Sequence, residues 1–352
     1  MRPAHPALAR LAVTPLVALP LAFAAPLAAA ADGLQTYKDW TIGCDNTRRC
    51  TAIGRGTEES VPGAYVVVKR DAGPAAVPAV EVVLPMDGPP AGVALTIAAD
   101  DPKAGVLPQG KSSVDENGYV RTRFAGEAAG AFVAAVRNAS RLQVTPRPGG
   151  ADAGSAVSLS GMSAALLKMD DVQGRVGTVT ALVKSGPKPA ASVPAAPATP
   201  VVAAVKLAEL SGSGPKSLPR QPAADTGCPE DGLAIGFALG GSTALWGTCT
   251  SAGAYNFFYD FYVFDGAKQR PAVFPQPPGT GKAGGGLTNP WLSDDGRTIG
   301  AFEKGRGLGD CGVLGSWAFD GKALQVVGYS VMGDCVGVSP DDWPALWRAN
   351  LR

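Results

Sequence analysis

Gly186 to Val202 reads GPKPAASVPAAPATPVV, five prolines set among alanines and valines with a single charged side chain, Lys188. Proline has no backbone donor and pushes the preceding residue away from the helical region, and this composition has little to bury. The run therefore reads as an extended spacer. Working outward, residues 186–204 form a Pro/Ala-rich linker between a first domain, residues 32–185, and a second, residues 205–352. Each is long enough for its own core.

Residues 1–31 carry a basic start at Arg2 and Arg10, an apolar run from Leu11 to Leu27 and small residues Ala28 to Ala31. That order is expected of a secretory signal peptide cut near Ala31. No later apolar stretch approaches the ~20 residues of a spanning helix, so no membrane span is expected. The single histidine, His5, falls in this leader, and the mature chain then holds no imidazole. Ser-His-Asp triads, Cys-His pairs and histidine-bound zinc are excluded with it. The 31 basic and 30 acidic residues become 29 and 30 once Arg2 and Arg10 leave, a net charge of about −1. A near-neutral chain has no electrostatic signature of a nucleic-acid partner.

Six cysteines, Cys44, Cys50, Cys228, Cys249, Cys311 and Cys335, enter an oxidising compartment, where an even count points to disulfides. Sequential pairing is the economical arrangement, because Cys44 and Cys50 are cut off from the other four by the spacer. Loop closure then contributes about 2 kcal/mol for the short loop and about 3 to 4 kcal/mol for each longer one. No Cys-x-x-Cys spacing occurs, so neither redox catalysis nor a metal site is expected, and no cofactor.

The fold class expected is mainly β with a few short helices: two disulfide-stapled antiparallel domains of sandwich or meander type. Tyr37 to Cys44 and Cys50 to Gly54 flank DNTRR as a hairpin. Ala64 to Val68, Val80 to Leu84, Val93 to Ile97 and Leu142 to Val144 are short, branched and bounded by Gly, Pro or Asp. Helices are predicted over Gly126 to Asn138 and over Met162 to Met169, the latter capped by Ser160. A further helical period runs through Val172, Val176, Val179, Leu182 and Val183. In the second domain Asp265-Gly266, Asp295-Gly296 and Asp320-Gly321 mark tight hairpins, giving a meander that ends in a short helix around Pro344 to Asn350. Ser293 to Thr298, SDDGRT, is one residue short of the Asp-box of propeller hairpins, and a meander is preferred. Every tryptophan but Trp40 follows the spacer, so the second domain owns the aromatic core.

The motifs CDNTRRC, LSGMSAALLKMDDVQGRVGTVTALV, GAYN, KGRGLGDCG and the final WPALWR together resemble domain-of-unknown-function family 1176, exported proteins of Gram-negative bacteria. The first domain is also similar to the invasion-associated locus B family through the Trp40 to Cys44 strand and SLSGMSAAL, although a further cysteine pair of that family is missing between Phe124 and Arg141. The resemblance implies a periplasmic location and supplies no catalytic residue.

Three places can still carry chemistry. Gly-Asp-Cys occurs at Gly309 to Cys311 and Gly333 to Cys335. If the two cysteines face each other directly, Asp310 and Asp334 are diagonal neighbours at about 7 to 8 Å, near the roughly 6.5 to 9.5 Å of inverting glycosidases. Glu303 and Arg306 stand close by in sequence. The plainer reading is a turn whose Asp accepts backbone N–H groups, with Arg306 outward on a glycine-rich loop. Tyr262, in the FFYDFYVF strand, could join Trp291 or Trp317 as a stacking platform if that strand is open on one face. Asp45, Arg48 and Arg49 ride a disulfide-pinned loop suited either to solvation or to a protein contact in an inhibitor or adhesin role. The expected function is non-catalytic binding or cell-envelope interaction, with an envelope protein or glycan as partner. The alternative is a glycan hydrolase using Asp310 and Asp334.

Overall fold

The structure, a computed structural model, describes residues 33–57, 63–104, 106–148, 154–220, 226–229 and 232–352. The expected leader lies outside the described residues. The protein is mainly β, its sheets antiparallel apart from one two-stranded pair, and its disulfides join Cys44 to Cys50, Cys228 to Cys249 and Cys311 to Cys335.

In the first half a seven-stranded sheet takes the spatial order Gln35–Tyr37, Trp40–Cys44, Cys50–Gly54, Tyr65–Arg70, Ala79–Pro85, Tyr119–Ala125, Lys111–Val114. A three-stranded sheet (Ser155–Ser158, Arg141–Arg147, Ala94–Ala99) and helices α1 (Glu127–Val136) and α2 (Met162–Val172) lie over one face of it. Between them Trp40, Val66, Val68, Val80, Phe124, Phe132 and Leu166 form the core. Cys44 and Cys50 are directly opposed at the neck of the hairpin, Cα atoms 4.1 Å apart.

Two local expectations change. Ser160 does not cap α2; Gly161 stands at the N-cap with φ 99° and no side-chain bond. A Cβ at Gly161 would run into the carbonyl oxygen of Tyr37, so the close approach itself demands glycine. The helical period beyond Val172 is not followed, because Gly174 and Gly177 turn the chain with positive φ. Asp170 Oδ2 then accepts the N–H groups of Leu182 (2.8 Å) and Val183 (3.0 Å), folding that segment back on α2.

In the second half two antiparallel sheets face each other. One has six strands: Ala208–Leu210, Ala234–Gly240, Thr243–Ala252, Phe257–Asp265 and Lys268–Pro271 in order, with Gly286–Thr288 also paired to Phe257–Asp265. The other has five, Pro290–Leu292, Ile299–Lys304, Gly312–Phe319, Leu324–Met332 and Ala345–Arg348. Each Asp-Gly pair lies at a turn between consecutive strands, with glycine φ values of 58°, 70° and 90°. Phe237, Leu245, Phe261, Phe274, Trp317 and Phe319 fill the gap between the sheets. The predicted C-terminal helix is instead the strand Ala345–Arg348, because pairing with Gly328–Ser330 buries Leu346 in this core.

The Pro/Ala run is largely extended but docked rather than free. Thr178 bridges to Lys188, Val193 is buried, and Val201–Val202 pairs in parallel with Asn350–Leu351. The two halves also meet directly. Ile53, Tyr65, Val67 and Val83 from the outer face of the seven-stranded sheet form one apolar cluster with Met332, Val338 and Trp343.

Candidate functional site

The five-stranded sheet places every second side chain toward the gap, so Ile299, Ala301 and Glu303 share the inner face, joined by Val313, Gly315 and Trp317 from the next strand. Small residues there leave space. A Cβ at Gly315 would strike the Trp317 ring, which lies across it. Opposite, Phe274, Gln276 and Thr288 complete the wall of a cavity of about 100 Å³ that also takes in Tyr329. Trp317 stands edge-on to Phe274 at 5.5 Å and is anchored by its indole N–H to the Pro275 carbonyl oxygen at 2.7 Å.

The Glu303 side chain is exposed to solvent and makes no ion pair or hydrogen bond among the described residues, and no lysine or arginine lines the cavity. Burial pushes the Tyr329 hydroxyl above its ordinary pKa, the Thr280 hydroxyl draws it down and Glu303 adds to the rise. Tyr329 is therefore a protonated donor at neutral pH. The lining offers one anion, one phenol, one primary amide, the Thr288 hydroxyl and aromatic faces. It holds no general base beyond the carboxylate to activate that hydroxyl, no serine or cysteine, and among the described residues no cluster able to hold a metal ion.

Of the residues singled out by sequence, Glu303 and Trp317 meet here. The others do not. Tyr262 points to the far face of the six-stranded sheet and packs with Trp246, Leu218 and Phe264, while Trp291 is 43% exposed and lies over Gly300. The stacking platform of Tyr262 with Trp291 or Trp317 is thus not assembled, because the aromatic strand is covered on both faces along Phe261 to Phe264.

Asp310 and Asp334 are not placed by the ladder as supposed. Pairing ends at Gly312 opposite Met332, and the Cys311–Cys335 bridge closes beyond it, with Cα atoms 4.7 Å apart. Asp310 is 5% exposed and takes Arg306 Nε at 2.8 Å, Arg306 Nη2 at 2.6 Å and the Gly337 N–H at 2.6 Å. Burial favours its neutral form, but Arg306 and Gly337 outweigh that and hold the carboxyl below the ordinary value. Such a group stays ionised and cannot serve as the proton donor that glycoside cleavage requires. Asp334 is partly exposed. Arg306, read as outward-pointing, is the strap that ties its loop down through Asp310.

The Asp45 to Arg49 loop has a partner, and it belongs to the same chain. Asp45 Oδ1 accepts the backbone N–H groups of Thr47 (2.8 Å) and Arg49 (3.1 Å), and its Oδ2 lies 2.6 Å from Arg348 Nε. The angle there gives a charge contact without a hydrogen bond, since Arg348 Nε donates to Thr47 Oγ1 at 3.1 Å. The Asn46 side-chain amide donates to the Arg348 carbonyl oxygen at 3.1 Å and accepts the Arg348 N–H at 2.9 Å. Arg48 is partly buried with its carbonyl held by Gln173, and Arg49 faces Asp71 at 3.4 Å.

Sequence reading missed Gln276, Thr288, Ala301, Gly315 and Tyr329. The parity of Ile299, Ala301 and Glu303 was a readable signal, since it sets a carboxylate on an apolar face.

With this geometry in hand, the model of a family described as "Protein of unknown function (DUF1176)" matches residues 34–350. The chain belongs to this family. "Uncharacterized protein YpfG" of Escherichia coli (strain K12) is 35% identical over 214 residues, 56% of this chain and 60% of the relative, so the match spans about three-fifths of that protein. No solved structure matches. The motifs that carry the family resemblance form joints. CDNTRRC grips Arg348 of WPALWR; Asn256 of GAYN pairs with the backbone of Lys304 at 2.9 and 3.1 Å; GRGLGDCG is strapped by Arg306. In the MDDVQGR segment, fully buried Asp170 and Arg175 secure Arg70 and the loop at Gly73 and Ala76.

Proposed function

We propose that this protein is an exported, periplasmic binding protein without catalytic activity, and that it takes a small organic ammonium ligand into the cavity between the sheets of its second half. The observation that carries this reading is the Glu303 carboxylate, without a partner among the described residues, beside the rings of Trp317, Phe274 and Tyr329. An ammonium group gains from the carboxylate and from aromatic faces together, each aromatic contact adding about 0.5 to 2 kcal/mol. The amide of Gln276 and the Tyr329 hydroxyl serve the polar remainder of such a ligand. Export rests on the leader-like residues 1–31 and agrees with three disulfides and with no helix among the described residues long and apolar enough to cross a membrane. Kinship of the first half with the invasion-associated locus B family, through Trp40 to Cys44 and SLSGMSAAL, is part of the same proposal.

The test is calorimetric titration with methylammonium, tetramethylammonium and acetate. Binding of an ammonium probe, no binding of acetate and at least about a tenfold loss in Glu303→Gln support the reading. Failure of both cations to bind, or binding unchanged in Glu303→Gln, removes it.

A further inference from the structure

Ion pairing accounts for half of the arginines among the described residues: Arg49, Arg55, Arg70, Arg121, Arg123, Arg141, Arg306 and Arg348 each stand within salt-bridge distance of a carboxylate. Lys268, Arg270 and Lys322 do not. None makes an ion pair or a side-chain hydrogen bond among the described residues, and all three line one groove of about 560 Å³ at the hairpin end of the second half. In a protein of nearly zero net charge this local excess of cations is against the average.

Register places the charges. On the edge strand Lys268–Pro271, Lys268 faces Asp265 and Arg270 faces Val263, and Val263 belongs to the inter-sheet core. Directly opposed residues share a face, so both cations stand on the inner side of that edge. Lys322 approaches from the other sheet, on the turn that follows Phe319. The floor between them is Val263 and Phe319, both buried members of the core. Asp265 is the one carboxylate lining the groove, and it accepts the Ser242 hydroxyl at 3.2 Å.

We infer that this groove is a second binding site, for an amphiphilic anion: a single carboxylate or phosphate held by Lys268, Arg270 and Lys322, with a short apolar chain laid on Val263 and Phe319. A bare anion gains only the screened charge attraction at the rim. A chain of several methylenes adds the removal of apolar surface from water, which raises affinity about three- to fourfold per buried methylene. The site is independent of the Glu303 cavity: it has the opposite sign and shares no lining residue with it. Inward charges on an edge strand also guard against edge-to-edge pairing, and that role alone predicts no ligand.

Calorimetric titration with octanoate, acetate and octylammonium at low salt distinguishes these outcomes. Octanoate is expected to bind, acetate at least about a hundredfold more weakly, and octylammonium not at this groove. The double variant Lys268→Gln/Arg270→Gln, and separately Lys322→Gln on the opposite sheet, should each weaken octanoate about tenfold or more. All three positions are exposed, and a circular dichroism melt reports whether each variant folds. Co-sedimentation with phosphatidylglycerol vesicles separates a free amphiphile from a lipid headgroup, and none is expected. The inference is overturned if octanoate fails to bind, if acetate binds as well, if the variants bind unchanged, or if the protein pellets with vesicles through these same residues. Octanoate binding that persists in Glu303→Gln leaves it standing whatever becomes of the ammonium site.

Discussion

The joint between the halves and the cavity within the second half both set a carboxylate beside aromatic rings, yet the company each acid keeps is different. Asp342, 2% exposed, accepts the Tyr65 hydroxyl at 2.8 Å, Lys69 Nζ at 2.7 Å and Arg121 Nη1 at 2.7 Å. Arg121 is itself shared with Asp115 and Glu81. Glu303 has no such neighbours. A buried acid surrounded by cations is committed to architecture, since removing either side strands the other. An acid left without a partner at an open cavity adds nothing to the fold and keeps its field for something that arrives.

The difference can be broken most forcefully at Asp342. Asp342→Asn strips Lys69 of its carboxylate and leaves Arg121 only Asp115 and Glu81, and should cost about 3 kcal/mol, the low end for a broken buried pair because Arg121 stays compensated and Lys69 is partly solvated; urea unfolding measures it. Close behind, replacing Cys311 and Cys335 by alanine should lower stability by about 3 kcal/mol, and the same change at Cys44 and Cys50 by about 2 kcal/mol. Equal losses from the two pairs would contradict the loop-length argument.

A gradual effect follows from pH. Burial pushes the Asp342 carboxyl up, but Lys69 and Arg121 more than reverse it, and the group titrates below the ordinary value. A carboxylate depressed in the folded state contributes fully above its unfolded pKa, about 3.9, and the contribution is lost as pH falls through the folded value. Wild-type melting temperature should therefore drop below about pH 4 more steeply than that of Asp342→Asn. Parallel curves would show that Asp342 is not the coupled group. The smallest effect sharpens the comparison from its other side. Glu303→Gln should change stability by no more than about 0.5 kcal/mol, and a loss approaching that of Asp342→Asn would make Glu303 structural.

Legibility in the sequence followed the range of the forces. Asp-Gly turns were readable because a positive φ is demanded by two adjacent residues alone. Tyr65–Arg70, YVVVKR, shows what is lost beyond that range. Its unbroken apolar run announces a strand covered on two faces, and Val66 and Val68 do enter the first core while Tyr65 and Val67 enter the cluster between halves. Nothing near it says that the second cover is Val338 and Trp343. The same holds for Asp45 and Asn46, whose acidic and polar side chains look solvated until Arg348 is brought to them. PALWR suits a helix or a strand by local preference, and pairing with Leu324–Met332 decided between them. The Gly174 and Gly177 breaks, by contrast, were visible, and the valine periodicity overrode them.

Residues 345–351 touch three separate regions of the molecule. Ala345–Arg348 closes the five-stranded sheet, Arg348 holds the loop at Asp45 to Thr47, and Asn350–Leu351 lies along Val201–Val202. One short stretch of backbone is thus a clasp with three jaws, and loosening it at Leu346 or Arg348 slackens a sheet, a hairpin loop and the docked spacer together.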